Sequence, residues 1–170
     1  MVEAVTGSEI IFVAVPSSSF RQVVKDLVSH GAESTILVST TKGIESGTFL
    51  LMSQILNQEA PQARVGVLSG PNLAKEIAKN DITGTVIASN HQYVRDIVKS
   101  VLRSKFFRVY TNDDMFGVEL GGSLKNIYAI IAGIAAAIGM GHNTNSMLVT
   151  RSLTEMARFG KELGADPMTF

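Results

Sequence analysis

Five short apolar runs alternate with helix-period patterns across residues 9–112, and this alternation limits the chain to very few folds. The runs are EIIFVAVP (9–16), TILVST (35–40), RVGVLSG (64–70), TGTVIAS (83–89) and FFRVYTN (106–112). Each is too short for a stable helix and is bounded by turn-forming residues, so each reads as a strand. Between the first two lies a helical pattern in which Phe20, Val23, Val24, Leu27 and Val28 share one face. Ser17, Ser18 or Ser19 is available to cap it, and Gly31 stands where a left-handed stop is expected. Further helices are predicted over 45–59, after the turn TTKG, over 71–80, opened by Pro71, and over 91–104. Strands and helices alternating on short connections predict an α/β fold with a parallel or mixed sheet.

After Asn112 the pattern changes. No strand signal follows, only two long helical patterns divided near 139–145. The first is rich in glycine and alanine, and its second half is apolar almost all round, which predicts burial by other helices on several sides. The second is amphipathic. The chain therefore divides into residues 1–112, a sheet domain, and 113–170, a helical one. A doubly wound nucleotide-binding sheet normally opens on a G-x-G-x-x-G turn, and none occurs here. The expectation is an internal piece: a sheet without its first half, then a helical domain without its second.

Composition narrows the function. Hydrophobic residues make up 45% and charged residues 18%, enough apolar side chains for a packed core. Fifteen basic residues balance fifteen acidic ones, leaving no electrostatic footprint for nucleic acid. With no cysteine, disulfides and thiolate chemistry are excluded. His30, His91 and His142 lack ligand spacing, so no metal is expected. The first ten residues have no secretory pattern, and the apolar stretch 127–140 is shorter than the roughly 18–20 residues of a membrane span. A soluble cytoplasmic protein with no membrane insertion is expected.

Three segments stand where chemistry would collect. Ser39-Thr40-Thr41-Lys42-Gly43 follows a strand, at the end of the sheet where ligands of α/β proteins bind. Lys42 can meet a phosphate there as a point charge, although on position alone a solvated turn lysine is the simpler reading. In Leu68-Ser69-Gly70-Pro71-Asn72 a glycine permits close backbone approach before a helix, a weak signal by itself. In Gly117-Val118-Glu119-Leu120-Gly121-Gly122-Ser123-Leu124-Lys125-Asn126 a lysine precedes fourteen residues without charge. A buried lysine gives up its proton more readily, as proton transfer requires. Gly121 and Gly122, one turn earlier, would leave room for a ligand beside it. A lysine snorkelling from the helix surface remains an equal alternative.

Together, the strings STTKGIE, VLSGPNLAKEIA, FRVYTNDDMFGVELGGSLKNIYAIIAGI and GMGHNTNSMLVTRSLTEMARFGKELGADPMTF resemble NAD(P)-dependent glycerol-3-phosphate dehydrogenase of the bacterial type. They cover nearly the whole chain in the family's order. The resemblance implies the second half of a Rossmann-type sheet followed by the first helices of an all-α domain, with the site between. It implies interconversion of dihydroxyacetone phosphate and sn-glycerol 3-phosphate with NAD(P)H, feeding glycerophospholipid synthesis, in a homodimer. Lys125 matches the family's catalytic lysine, which exchanges a proton with the carbonyl oxygen. Lys42 matches a lysine touching both cofactor and substrate. Gly70, Asn72 and Asn126 match substrate positions, and Ala74 a cofactor contact.

The family's glycine-rich loop and its NADH-versus-NADPH selector would precede Met1, and its Arg-Asn phosphate anchor would follow Phe170. On that comparison the isolated chain is expected to be inactive or nearly so. Two other readings stand beside this one. A related two-domain dehydrogenase of hydroxy acids or sugar acids would also place a lysine on this helix. A non-catalytic fragment that associates with itself would have little use for Lys42, Lys125 and Asn126 together.

Overall fold

The alternating pattern builds a five-stranded sheet in the order β1-β2-β3-β4-β5. The structure, a computed structural model, describes residues 2–170. Its strands are β1 (Ile10–Val13), β2 (Ile36–Ser39), β3 (Arg64–Ser69), β4 (Thr83–Ala88) and β5 (Phe107–Asn112). Each lies inside the run predicted for it. β1, β2 and β3 pair in parallel, β4 lies antiparallel to β3, and β5 is parallel to β4, so the sheet is mixed. The helices are α1 (Val2–Val5), α2 (Ser17–Ser29), α3 (Met52–Glu59), α4 (Ala74–Ala78), α5 (Gln92–Leu102), α6 (Met115–Ala137) and α7 (His142–Glu162). A short 3-10 turn, Pro167–Thr169, follows.

Strand periodicity sorts side chains onto two faces. Leu37, Val65 and Val67 meet Phe20, Val24 and Leu27 of α2 and Met52, Ile55 and Leu56 of α3. Ile36, Val38, Ile87 and Val109 meet Val94 and Val98 of α5 on the other side. Burying each large side chain contributes about 1.5–3 kcal/mol, so the two layers fix the sheet between them.

Local expectations fail where a tertiary contact outweighs propensity. None of the three serines caps α2: the helix starts at Ser17 behind Pro16, with no side-chain cap. Gly31 does take its left-handed conformation, at φ 96°. The helix expected over 45–59 begins only at Met52. Before it, Arg21 holds Glu45 through two hydrogen bonds of 2.7 Å, and Ile44 and Leu51 bridge. Pro71 does not open α4, which begins at Ala74 behind Leu73. The N–H of Asn72 turns back to Gly70 O at 2.9 Å instead.

α6 is capped by Asp114, which accepts from Gly117 N–H at 2.8 Å. Its first half lies against β3, β4 and α3, and its second half against α7. The burial expected for that second half is not found within this chain: Ile130, Ile134 and Ile138 are 64%, 58% and 66% exposed. By length and composition α6 could cross a membrane. Glu119, buried within it and hydrogen-bonded to Ser53, marks its first half as part of a protein interior.

Candidate functional site

The carboxyl end of β3 is where the sequence-marked residues meet. Gly70 follows β3, and a Cβ there would stand 3.0 Å from both Gly84 O and Thr85 Cα, a contact tight enough that the neighbouring backbone would have to give. The loop after β2 brings Lys42 across, and its ammonium group donates to Gly70 O at 3.2 Å. From the other side, α6 lays Gly122 against the same spot. A Cβ on Gly122 would stand 2.5 Å from Ser69 Oγ and 3.9 Å from Lys42 Cε. Lys125 follows three residues on. Burial, and then the positive charge of Lys125, push the Lys42 ammonium below the usual lysine range.

Two polar contacts bolt α6 to this end of the sheet. Ser123 Oγ accepts from Gly43 N–H at 3.3 Å while facing Glu119 O at 3.1 Å, so the loop carrying Lys42 is tied to the helix carrying Lys125. Glu119, four residues earlier and on the same face, accepts from the backbone N–H of Ser53 at 3.1 Å and from its hydroxyl. Burial raises this carboxyl to about 7, against the opposing pull of those hydrogen bonds.

A cavity of about 270 Å³ opens at the junction, with Ser69, Gly70, Gly121, Gly122, Lys125 and Phe170 among its lining. Among the described residues, no acidic side chain lines it. Lys125 stands in its lining and Lys42 lies behind it, held on the carbonyl of the lining residue Gly70, so positive charge collects at this end of the sheet, an arrangement that suits a small anion. The size falls below the roughly 300–1,000 Å³ of sites that enclose drug-sized ligands.

The structure thus brings Lys42, Gly70 and Lys125 together. Asn72 stands beside them, its side-chain N–H donating to Thr85 Oγ1 at 3.0 Å and its Oδ1 buried without a hydrogen-bond partner among the described residues. Ala74, at the start of α4, and Asn126 are exposed and do not line the cavity. Of the two readings open for Lys125, the structure shows the exposed one; Lys42 is exposed as well, although partial burial lowers its ammonium. One expectation is corrected. The space above the two glycines is partly filled: Ser69 occupies it at Gly122, and the ring of Phe170 at Gly121. Sequence reading passed over Asp114, Ser123 and Phe170. Asp114 stands directly before a helical run, which is a readable cap signal; the other two act through contacts across long stretches of chain.

A Rossmann-like α/β sheet followed by a helical region, with paired lysines at the carboxyl end of its strands, defines the class. Residues 1–95 match the family described as NAD-dependent glycerol-3-phosphate dehydrogenase N-terminus, and residues 114–170 match its C-terminus. The chain belongs to the NAD-dependent glycerol-3-phosphate dehydrogenase family. It is 56% identical over 170 residues to glycerol-3-phosphate dehydrogenase [NAD(P)+] of Saccharophagus degradans, covering 100% of this chain and 48% of that protein. With the enzyme of the same name from Azotobacter vinelandii it shares 58% over 166 residues, 98% of this chain and 48% of the relative. The crystal structure of glycerol-3-phosphate dehydrogenase from Coxiella burnetii superposes with a TM-score of 0.91 at 37% identity, over 99% of this chain and 52% of that one. The chain spans about half the length of the curated relatives it matches.

Proposed function

We propose that this chain carries the proton-transfer part of an enzyme that interconverts dihydroxyacetone phosphate and sn-glycerol 3-phosphate with NAD(P)H. The observation that carries the reading is the meeting of Lys42 and Lys125 at Gly70, over a cavity without acidic side chains, in a member of this family. Residues 1–112 belong to the nucleotide-binding domain and 113–170 to the helical one.

Lys125 is the proton donor in reduction and the acceptor in oxidation. Exposed at the mouth of the cavity, it can reach a carbonyl oxygen there and stabilise the negative charge that develops on it. Lys42, held on Gly70 O, supplies a second positive charge beside the cavity and bridges substrate and cofactor. Gly70 offers bare backbone to the substrate. Asn72, with one amide oxygen unpartnered among the described residues, and the exposed Asn126 are the further substrate positions of this reading. NAD(P)H, when bound, supplies the hydride. The exposed small side chain of Ala74 provides a contact surface for it, and the cavity has room for its nicotinamide end.

This reading places the protein in the cytoplasm, supplying glycerophospholipid synthesis, as a homodimer without membrane insertion. The test is turnover of dihydroxyacetone phosphate by an enzyme of the family's full length that carries this chain, followed by loss of reduced nicotinamide absorbance. Lys125→Ala should lower kcat by about 10²–10⁴-fold, the usual contribution of a positioned general acid, with cofactor affinity little changed. Cofactor affinity falling in step with turnover would remove the proton-transfer role.

A further inference from the structure

Asp114 uses both carboxylate oxygens, and each serves a different part of the molecule. Oδ1 accepts from Gly117 N–H at 2.8 Å, capping the helix that carries Lys125. Oδ2 accepts from Asp166 N–H at 2.9 Å and from the Thr169 hydroxyl at 2.7 Å, groups 52 and 55 residues away. A Cβ on Gly117 would collide with this carboxylate, so glycine is needed to admit it. Phe170 follows Thr169 directly. Its ring reaches α6 at Gly121, where a Cβ would stand 3.3 Å away, and α7 at Gly160, where a Cβ would collide with it. Three glycines on two helices are thus filled by one carboxylate and one ring. Thr169, Phe170 and Lys125 all line the same cavity.

We propose that Asp114 and Thr169 are positioning residues for Lys125: their hydrogen bond seats Phe170 between Gly121 and Gly160 as the wall of the cavity beside the lysine. The inference rests on the reading of Lys125 as the proton-transfer group. Lys125 lies one helical turn beyond Gly121, on the face that the ring covers. The ring therefore limits where substrate can lie relative to the ammonium group and keeps water from that side. Hydrogen bonds to an ionised carboxylate are among the stronger ones. Removing the Thr169 hydroxyl leaves Oδ2 with one partner, frees the 3-10 turn and lets the ring leave its slot. Misplacement by about 1 Å can cost about 10²-fold in rate. The loss falls on kcat, because what changes is the alignment of substrate against the Lys125 ammonium group.

The test compares Thr169→Val, Thr169→Ser and Phe170→Leu in the enzyme turning over dihydroxyacetone phosphate. Thr169→Val should lower kcat by roughly 10- to 100-fold with KM nearly constant, and should speed hydrogen exchange at the Asp166 amide. Thr169→Ser keeps the hydroxyl and should restore both. Phe170→Leu keeps the hydrogen bonds and should reproduce the kcat loss with a slowly exchanging Asp166 amide. Wild-type turnover in Thr169→Val, despite a freely exchanging Asp166 amide, overturns the inference alone. Equal impairment in the valine and serine variants, or full activity in Phe170→Leu, does the same. A wild-type enzyme of the family's full length that carries this chain and does not turn over dihydroxyacetone phosphate overturns the functional reading and this inference with it.

Discussion

The carboxylate of Glu119, buried on α6, accepts both hydrogen bonds that Ser53 can donate at the first turn of α3. Within α3, Gln54 Oε1 accepts from the Leu51 N–H at 2.9 Å. A residue 66 positions away takes the Ser53 N–H and pins the lysine-bearing helix to the sheet layer.

A pH dependence follows. Burial raises the Glu119 carboxyl from 4.5 to about 7, so the folded protein holds a proton that the unfolded chain releases. The contribution is fully present below about 4.5 and is lost as pH rises through about 7. The interval corresponds to about 3 kcal/mol. Urea midpoints of wild type and Glu119→Gln, compared across that range, should diverge in favour of the glutamine variant as pH rises. Parallel curves would show that Glu119 titrates normally.

The two lysines should titrate as neighbours. Burial lowers Lys42 first and the charge of Lys125 adds to it. Lys125→Met should raise the Lys42 pKa part of the way back, leaving the burial contribution in place. The pH dependence of amine labelling at Lys42, read by mass spectrometry, measures this directly. An unchanged Lys42 profile would mean that the two ammonium groups lie beyond electrostatic reach.

Gly160→Ala tests the slot for Phe170. The added methyl group and the ring cannot share the space, and overpacking of this kind costs about 1–3 kcal/mol. Thermal or urea unfolding should show the loss, and Phe170→Ala in the same chain should relieve much of it. A loss that persists unchanged in the double variant would place the strain elsewhere.

Arg21→Ala should loosen the loop at 44–51 and little else. Arg21 joins Glu45 of that loop to Gln58 and Glu59 of α3. The group is partly exposed, so a cost of about 1 kcal/mol or less is expected. Faster hydrogen exchange at the amide of Glu45, which now bonds to Leu50 O at 2.8 Å, is the more sensitive readout.

The sheet was legible because strand runs such as TILVST and RVGVLSG are dictated by local pattern, and each produced a strand. Ends were less so. The helix predicted from residue 45 gives way to a loop because Arg21, from another helix, holds Glu45. Asn72 turns toward Thr85 rather than joining α4. At the site, Lys42, Gly70 and Lys125 were readable as residues that local chemistry marks. Their electrostatic ranking was not. That Lys42 is lowered beside Lys125 depends on how α6 lies over the β2 loop, and no local spacing records that. The same holds for Asp114 with Thr169, whose partnership spans 55 residues.

The antiparallel pairing of β4 with β3 has a consequence for where Lys125 arrives. β5 runs with β4, so its last residue, Asn112, lies level with Ala88 and hence with Val67, short of the end of β3. The chain leaves β5 on the far side from the lysine loop, and α6 must double back across the sheet. From Met115 to Lys125 the helix climbs about 15 Å, ending above Gly70. Had β4 and β5 kept the direction of β1, β2 and β3, α6 would set out from the site and carry Lys125 that distance away. The reversed pair of strands works as a switchback, returning the second lysine to the first.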